Sequence, residues 1–313
     1  MSKLKSLRIE KKLTQQQVAD LMGISLRSYK SYENDEEKIG TLKYNYIFEK
    51  LAEINPIDEN HGIVDVDYIR QKCQSVFEGY EIEYQNADYY GEYKYADLLS
   101  KLSNLATKNA MEIGLWKESF NGKYGWVLVK QTVKLKRPLL VGEELIVSTR
   151  AKGERKIQYF RTYDLKINDE VVGGIYSIWT LIDIEKRRIV RPQKVGITIP
   201  ECEEYSSFVE KYEPLLDIET QKVQTREVMY SDIDLNKHMN NARYLEWVMD
   251  LLPQNVLEKY FIGEMTMHYQ KEIAPESIVD LYYGQEDDHF KIEFKIAEQI
   301  HFVISGRFKE KKE

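Results

Sequence analysis

Apolar positions recur in two rhythms along the 313-residue chain, helical in the first part and mixed helical and alternating in the rest. Up to about residue 55 they come in short helical bursts, and TQQQVADLMGISLRSYKSYEN holds the start and stop signals of two of them. Thr14 followed by Gln17 forms a capping box, in which a hydroxyl and an amide each satisfy a backbone N–H orphaned at a helix start, so a helix is predicted from near Gln15. Val18, Ala19, Leu21 and Met22 give that helix an apolar stripe. Gly23 permits a tight turn, and Ser25 is placed to cap a second helix running to about Glu33. Pro56 and Gly62 interrupt the pattern, so residues 56–78 read as a connecting segment with a short helix after Val64.

The remainder alternates one helix with several strands, and does so twice. Leu98, Leu102, Leu105 and Ala106 lie at helical spacing in residues 95–115, with Gly114 as a C-cap. WVLVKQTVKLK, EELIVSTRA, QYFRTYDLKI and GGIYSIWTLIDIEKRR follow as β-branched and aromatic runs separated by turn residues. The same order returns after residue 220, with Leu245, Val248, Met249 and Leu252 on one helix face, then EMTMHYQKEI, ESIVDLYYG, HFKIEFKI and IHFVISGRFK as strands. Each set is an α+β unit whose helix must bury its stripe against its sheet. Sliding one half along the other pairs Tyr84 with Tyr230, Asp88 with Asp234, Ala96 with Ala242 and Leu99 with Leu245, as an internal duplication would. The expected organisation is a helical domain over 1–55, a connector over 56–78, and two related domains over 79–200 and 201–313.

Composition narrows the class. No run of eighteen apolar residues occurs and MSKLKSLRIEKK lacks a signal peptide's apolar core, so a soluble, uncleaved protein is expected, with no membrane partner. Cys73 and Cys202, without CxxC spacing, fit the cytoplasm and argue against a thiolate zinc site. Neither a metal nor a cofactor is expected. A net charge of −7 conceals a slightly basic head on an acidic body.

The densest polar chemistry is SDIDLNKHMNNARYLEW, which gathers Asp232, Asp234, Asn236, His238, Asn240 and Asn241 just ahead of a helix beginning near Asn240 or Asn241. In an extended approach, the alternation of Asp234, Asn236 and His238 turns all three toward one side, beside the unpaired N–H groups of the helix start. That arrangement suits a developing oxyanion. Glu272, at the end of a predicted strand, is placed to take a proton from water. Asn236 and His238 stand opposite Tyr90 and Glu92 in the first half, and Glu272 opposite Pro138 or Leu139. One half is chemically equipped and the other reads as scaffold. A metal site built from Asp234, His238, His268 and Glu272 is disfavoured by Asn236 and by the lack of HxxxH or HxH spacing.

Two resemblances follow. LTQQQVADLMGISLRSYKSYEN resembles the helix-turn-helix of the phage-repressor-like (XRE) family, which implies that Leu26, Arg27, Ser28, Lys30 and Ser31 meet DNA, with Thr14 to Gln16 near a phosphate. SDIDLNKHMNNARYLEW together with YQKEIAPESIV resembles the catalytic segment of acyl-acyl carrier protein (ACP) thioesterases, over about residues 78–310. That resemblance implies a tandem double hot-dog, antiparallel sheet wrapped on long helices, in which Asn236 and His238 bind and polarise the thioester carbonyl, Glu272 is the base for water, and Asp234 orients its neighbours. Many members carry a cysteine directly after the glutamate; Ile273 stands there in this chain, so direct hydrolysis is expected. The implied product is a free fatty acid, with an acyl slot lined by first-half residues from Tyr95–Leu115 and Trp126–Val133.

The implied partner, an acidic acyl carrier protein, calls for a basic docking surface, and EKRRIVRPQK supplies Lys186, Arg187, Arg188, Arg191 and Lys194. Two readings stay open. One is a thioester hydrolase carrying a DNA-binding-like head; the other is a transcriptional regulator whose double hot-dog senses acyl thioesters or acyl chains. Two-fold symmetric operators would require a homodimer.

Overall fold

Caps and a small apolar core build the N-terminal unit of the computed structural model, which describes residues 2–11, 13–22, 24–36, 39–53, 75–168, 170–199 and 207–311. Helices α1 (Lys3–Glu10), α2 (Gln15–Leu21), α3 (Leu26–Asn34) and α4 (Thr41–Glu53) follow in order. The capping box forms in both directions: Gln17 N–H donates to Thr14 Oγ1 at 3.2 Å and Thr14 N–H to Gln17 Oε1 at 2.7 Å. Ser25 caps α3 by accepting from Ser28 N–H at 3.1 Å. Leu4, Val18, Ala19, Tyr29, Ile47 and Leu51 make the core. Glu33 is buried beside them, paired with Arg8 at 2.6 Å and bonded by Gln15, because a carboxylate taken out of water needs such partners.

Residues Ser75–Glu313 form a second compact unit. Its first half comprises β1 (Val76–Glu81), α5 (Tyr95–Glu112), β2 (Tyr124–Leu135), β3 (Glu144–Arg155), β4 (Gln158–Ile167), β5 (Glu170–Asp183) and the short β6 (Arg188–Ile189). The second half comprises β7 (Gln221–Glu227), α6 (Asn241–Leu251), α7 (Gln254–Lys259), β8 (Tyr260–Tyr269), β9 (Ile278–Glu286), β10 (His289–Ile296) and β11 (Gln299–Glu310). β1 begins inside the stretch read as a connector. The expected helix after Val64, Cys73 and Cys202 all lie outside the described residues.

All the strands join one antiparallel sheet, in the order β1, β3, β4, β5, β2, β8, β11, β10, β9, β7, with β6 paired to β5. Read outward from the centre, each half runs second strand, fifth, fourth, third, first if β7 to β11 are counted afresh. The duplication therefore extends to topology, and the halves meet where β2 pairs with β8. At this seam Thr132 faces Thr266, their hydroxyl oxygens 3.1 Å apart. The segment after residue 207 crosses the seam: Glu213 N–H donates to Thr132 Oγ1 and Leu216 N–H to Ser305 Oγ, each at 3.0 Å.

Helix α5 buries Leu98, Leu102 and Leu105, and α6 buries Leu245, Trp247 and Val248, in one continuous core with the sheet. Trp247, absent from the predicted stripe, is fully buried. The doublet Gly173–Gly174 lets β5 pass between its neighbours, since an added Cβ would meet the Lys134 carbonyl oxygen at 2.7 Å or that of Tyr163 at 2.9 Å.

His268 pairs with Lys130 across the seam. Burial first, and the Lys130 charge second, hold its imidazole below the ordinary 6.5. The folded form thus binds fewer protons than the unfolded chain just below that value, so stability is complete above pH 6.5 and falls as pH drops toward the depressed folded value. Thermal melts between pH 7 and 5 are expected to show this loss, and His268→Gln to flatten it.

Candidate active site

The polar cluster ahead of α6 is folded by its own first aspartates. Asp232 is buried; one carboxylate oxygen accepts from Met229 N–H at 2.9 Å and the other from Trp247 Nε1–H at 3.2 Å. Asp234 organises the next turn, with Oδ1 accepting Asn236 N–H at 2.8 Å and its own N–H donating to the His238 carbonyl at 3.0 Å. Asn236 Nδ2 also approaches Asp234 Oδ2, at 3.4 Å.

The predicted extended approach is therefore corrected. Residues 234–238 form a tight loop, with Lys237 in the left-handed region at φ 63°, because a short carboxylate can bond backbone N–H groups two residues on and close the chain on itself. Asn240 then caps α6, its Oδ1 accepting Ala242 N–H at 2.8 Å. That bond uses one of the helix-start donors predicted to face an oxyanion.

Glu272 lies past the end of β8 rather than on the strand. Its loop is fixed from two sides: Ile273, fully buried, accepts Met239 N–H at 2.9 Å, while the His301 carbonyl accepts Gln270 and Lys271 N–H at 2.8 and 3.1 Å. Met239 and Ile273 directly follow His238 and Glu272, so this one backbone bond draws the two side chains together. His238 Nε2 stands 3.1 Å from Glu272 Oε2. The acid and the imidazole lie within contact distance of each other.

Three contributors were not anticipated. Arg187 Nη2 donates to Glu272 Oε2 at 2.6 Å, and His301 Nδ1 lies 3.0 Å from the Glu272 carbonyl oxygen. Tyr244, on α6, packs its ring 4.7 Å from that of Phe302 under the site. Burial first, then the charge of Glu272, pushes its hydroxyl well above the ordinary phenol range. Tyr244 was detectable as a member of the α6 stripe. Arg187 was singled out only as part of the basic run, and His301 carried no local signal.

The first half repeats the backbone and changes the side chains. Asp88 Oδ1 accepts Tyr90 N–H at 2.8 Å, Asp88 N–H donates to the Glu92 carbonyl at 2.8 Å, and Gly91 takes the left-handed place of Lys237 at φ 76°. Tyr93 N–H donates to the Leu139 carbonyl at 2.7 Å, which aligns Leu139 with Ile273 and Pro138 with Glu272. Where His238 meets an acid, Glu92 meets Lys311 Nζ at 2.6 Å. Burial pushes the Glu92 carboxyl up, against the pull of Lys311.

A cavity of about 410 Å³ opens beside this second set, lined among others by Tyr90, Glu92, Tyr95, Met249, Leu257 and Phe261. Tyr95 is among the residues expected to line a slot. Trp126 instead packs against Tyr159, with ring centroids 4.9 Å apart, and donates to the Leu115 carbonyl at 2.8 Å.

Of the basic run, Lys186, Arg188, Arg191 and Lys194 line a cleft of about 710 Å³ with Tyr124 and Ile157. Arg187 is turned to Glu272 instead. On α3, Arg27, Lys30 and Ser31 are exposed, Ser28 bonds Ser25 through their hydroxyls at 2.8 Å, and Leu26 packs on the helical core.

Two adjacent sequence profiles match this unit, the acyl-ACP thioesterase N-terminal domain over residues 74–195 and the C-terminal domain over 216–308. The chain belongs to the acyl-ACP thioesterase family. Residues 4–41 match a helix-turn-helix profile. An Arabidopsis thaliana oleoyl-acyl carrier protein thioesterase is 24% identical over 50% of this chain and 46% of its own length. A Cuphea hookeriana palmitoyl-acyl carrier protein thioesterase is 26% identical over 50% of this chain and 40% of its own. The chain thus spans about half the length of the curated relatives it matches.

Among solved structures, an acyl-ACP thioesterase from Bacteroides thetaiotaomicron superposes with a TM-score of 0.70 at 23% identity, covering 76% of this chain and 99% of that one. The 12:0-ACP thioesterase from Umbellularia californica superposes at 0.63 with 14% identity, over 76% and 98%. These likenesses establish the fold as a tandem hot-dog. No helix among the described residues is long and apolar enough to cross a membrane.

Proposed function

We propose that this family member hydrolyses acyl-ACP thioesters to free fatty acids by general-base activation of water. The observation that carries the reading is the 3.1 Å approach of His238 Nε2 to Glu272 Oε2, beside the Asp234-ordered loop that presents Asn236. Glu272 takes a proton from water as the water oxygen attacks the carbonyl carbon. The oxyanion is stabilised by the Asn236 amide N–H and the His238 imidazole. When the intermediate collapses, the C–S bond breaks and the proton held by Glu272 passes to the departing thiolate, leaving the acid as the other product. Ile273 beside Glu272 offers no nucleophile, which favours this route over a covalent one.

The acidic carrier docks on the basic cleft of Lys186, Arg188, Arg191 and Lys194. The Arg187–Glu272 contact supports this, because it ties the same basic run to the site where the carrier's thioester must arrive. The helical head binds DNA through Arg27, Lys30 and Ser31. The cap at Ser25, which sets the start of α3, and the exposure of these three side chains support that role.

Glu272→Gln is expected to lower turnover of an acyl-ACP by about 100-fold or more, and steady-state release of free acid measures it; turnover within a few-fold of wild type overturns the base assignment. Arg188→Glu with Arg191→Glu should raise KM for acyl-ACP relative to KM for a small acyl thioester by about ten-fold, since rim charges act on encounter with a charged partner. For the head, fluorescence titration with duplex DNA should give affinity falling steeply with salt, with the log–log slope reduced by about one for Lys30→Ala. Salt-insensitive or absent binding removes the DNA role.

A further inference from the structure

Arg187 comes from the first half and acts on the second. It sits in the turn between β5 and β6, where Ile182 pairs with Ile189 and Asp183 with Arg188. Asp183 Oδ1 accepts Lys186 N–H at 2.9 Å, and Arg187 completes the turn in a left-handed backbone at φ 49°. The turn thereby delivers the guanidinium to Glu272 Oε2 at 2.6 Å.

Arg187 donates to that single oxygen, and His238 Nε2 stands 3.1 Å from it. Among the described residues no group is bonded to Oε1. A carboxylate has lone pairs on both oxygens, so tethering one leaves the other to receive the proton of water. A glutamate on a loop has several rotors, and its productive rotamer has to be held against the others.

We propose that Arg187 is a positioning residue for hydrolysis, which secures Glu272 through Oε2 and reserves Oε1 for water. The inference rests on the reading of Glu272 as the base. Stability does not explain the contact: its side chains are 73% and 40% exposed, and pairs so open to solvent contribute little to folding. Carrier docking does not explain it either, because the guanidinium is engaged with the acid and the cleft is lined by its neighbours.

The test compares wild type, Arg187→Ala, Arg187→Lys, Glu272→Gln and the double variant Arg187→Ala/Glu272→Gln in the full chain, with a short acyl thioester lacking the carrier. Arg187→Ala is expected to lower kcat about three- to five-fold with KM within two-fold, because an exposed pair worth about 1 kcal/mol can bias one rotamer by no more than that. Arg187→Lys recovers part of that loss, and the thermal midpoint is unchanged. In the Glu272→Gln background, removing Arg187 costs nothing further, because the base it positions is already gone.

The proposal falls if Arg187→Ala keeps kcat within two-fold of wild type while Glu272→Gln is slow, or if its penalty persists undiminished in the double variant. A fast Glu272→Gln enzyme would remove the general-base reading itself, and the proposal with it.

Discussion

A single backbone hydrogen bond, Met239 N–H to the Ile273 carbonyl at 2.9 Å, holds the two loops of the candidate site together. It joins a loop that precedes a helix to a loop that follows a strand, and the residues before its two partners are His238 and Glu272. Its strength comes from its setting. Ile273 is fully buried, so breaking the bond would leave an unpaired carbonyl in an apolar core, a much larger penalty than the net gain of an exposed hydrogen bond. The aromatic rings of Tyr244, Tyr269, Phe294 and Phe302 pack together beneath it and keep that interior closed.

The first half keeps the same tie, between Tyr93 and Leu139, and the same aspartate-closed loop, yet mounts Tyr90, Glu92 and Pro138 where the second half mounts Asn236, His238 and Glu272. Backbone bonds are indifferent to side chains that point outward from the loop, so duplication preserves the cage while its contents diverge. The Glu92–Lys311 pair shows the outcome: the position matching the imidazole now serves an ion pair that fastens the chain's last strand region, beside a cavity. At the matching turn the first half uses glycine, the least strained choice for a positive φ, and the second uses Lys237.

The halves are interdependent. Pairing of β2 with β8 makes one sheet of two, and it allows a turn belonging to the first half to contact the acid of the second. An isolated second half would retain Asn236, His238 and Glu272 but lose a donor to Glu272. A chain of net charge −7 also concentrates Lys186, Arg188, Arg191 and Lys194 in one cleft, so the local field there opposes the sign of the whole.

Much of this was legible from residue order. The Thr14–Gln17 capping box, the Ser25 cap, the α5 stripe and the strands β4 and β10 match their predicted places, because caps and periodicities act between residues a few positions apart. The repeated order of helix and strands, and the singling out of Asn236, His238 and Glu272, were likewise available from comparing the halves. The sequence did not reveal that Asp234 bends its segment into a loop, that Glu272 lies beyond its strand, that residues 76–81 form a strand, or that Arg187 and His301 attend the acid. Those outcomes depend on which distant backbones pair and in what register. Side-chain rhythm determines which face of an element is buried, whereas only the assembled sheet decides which residues from separate elements come within hydrogen-bonding distance.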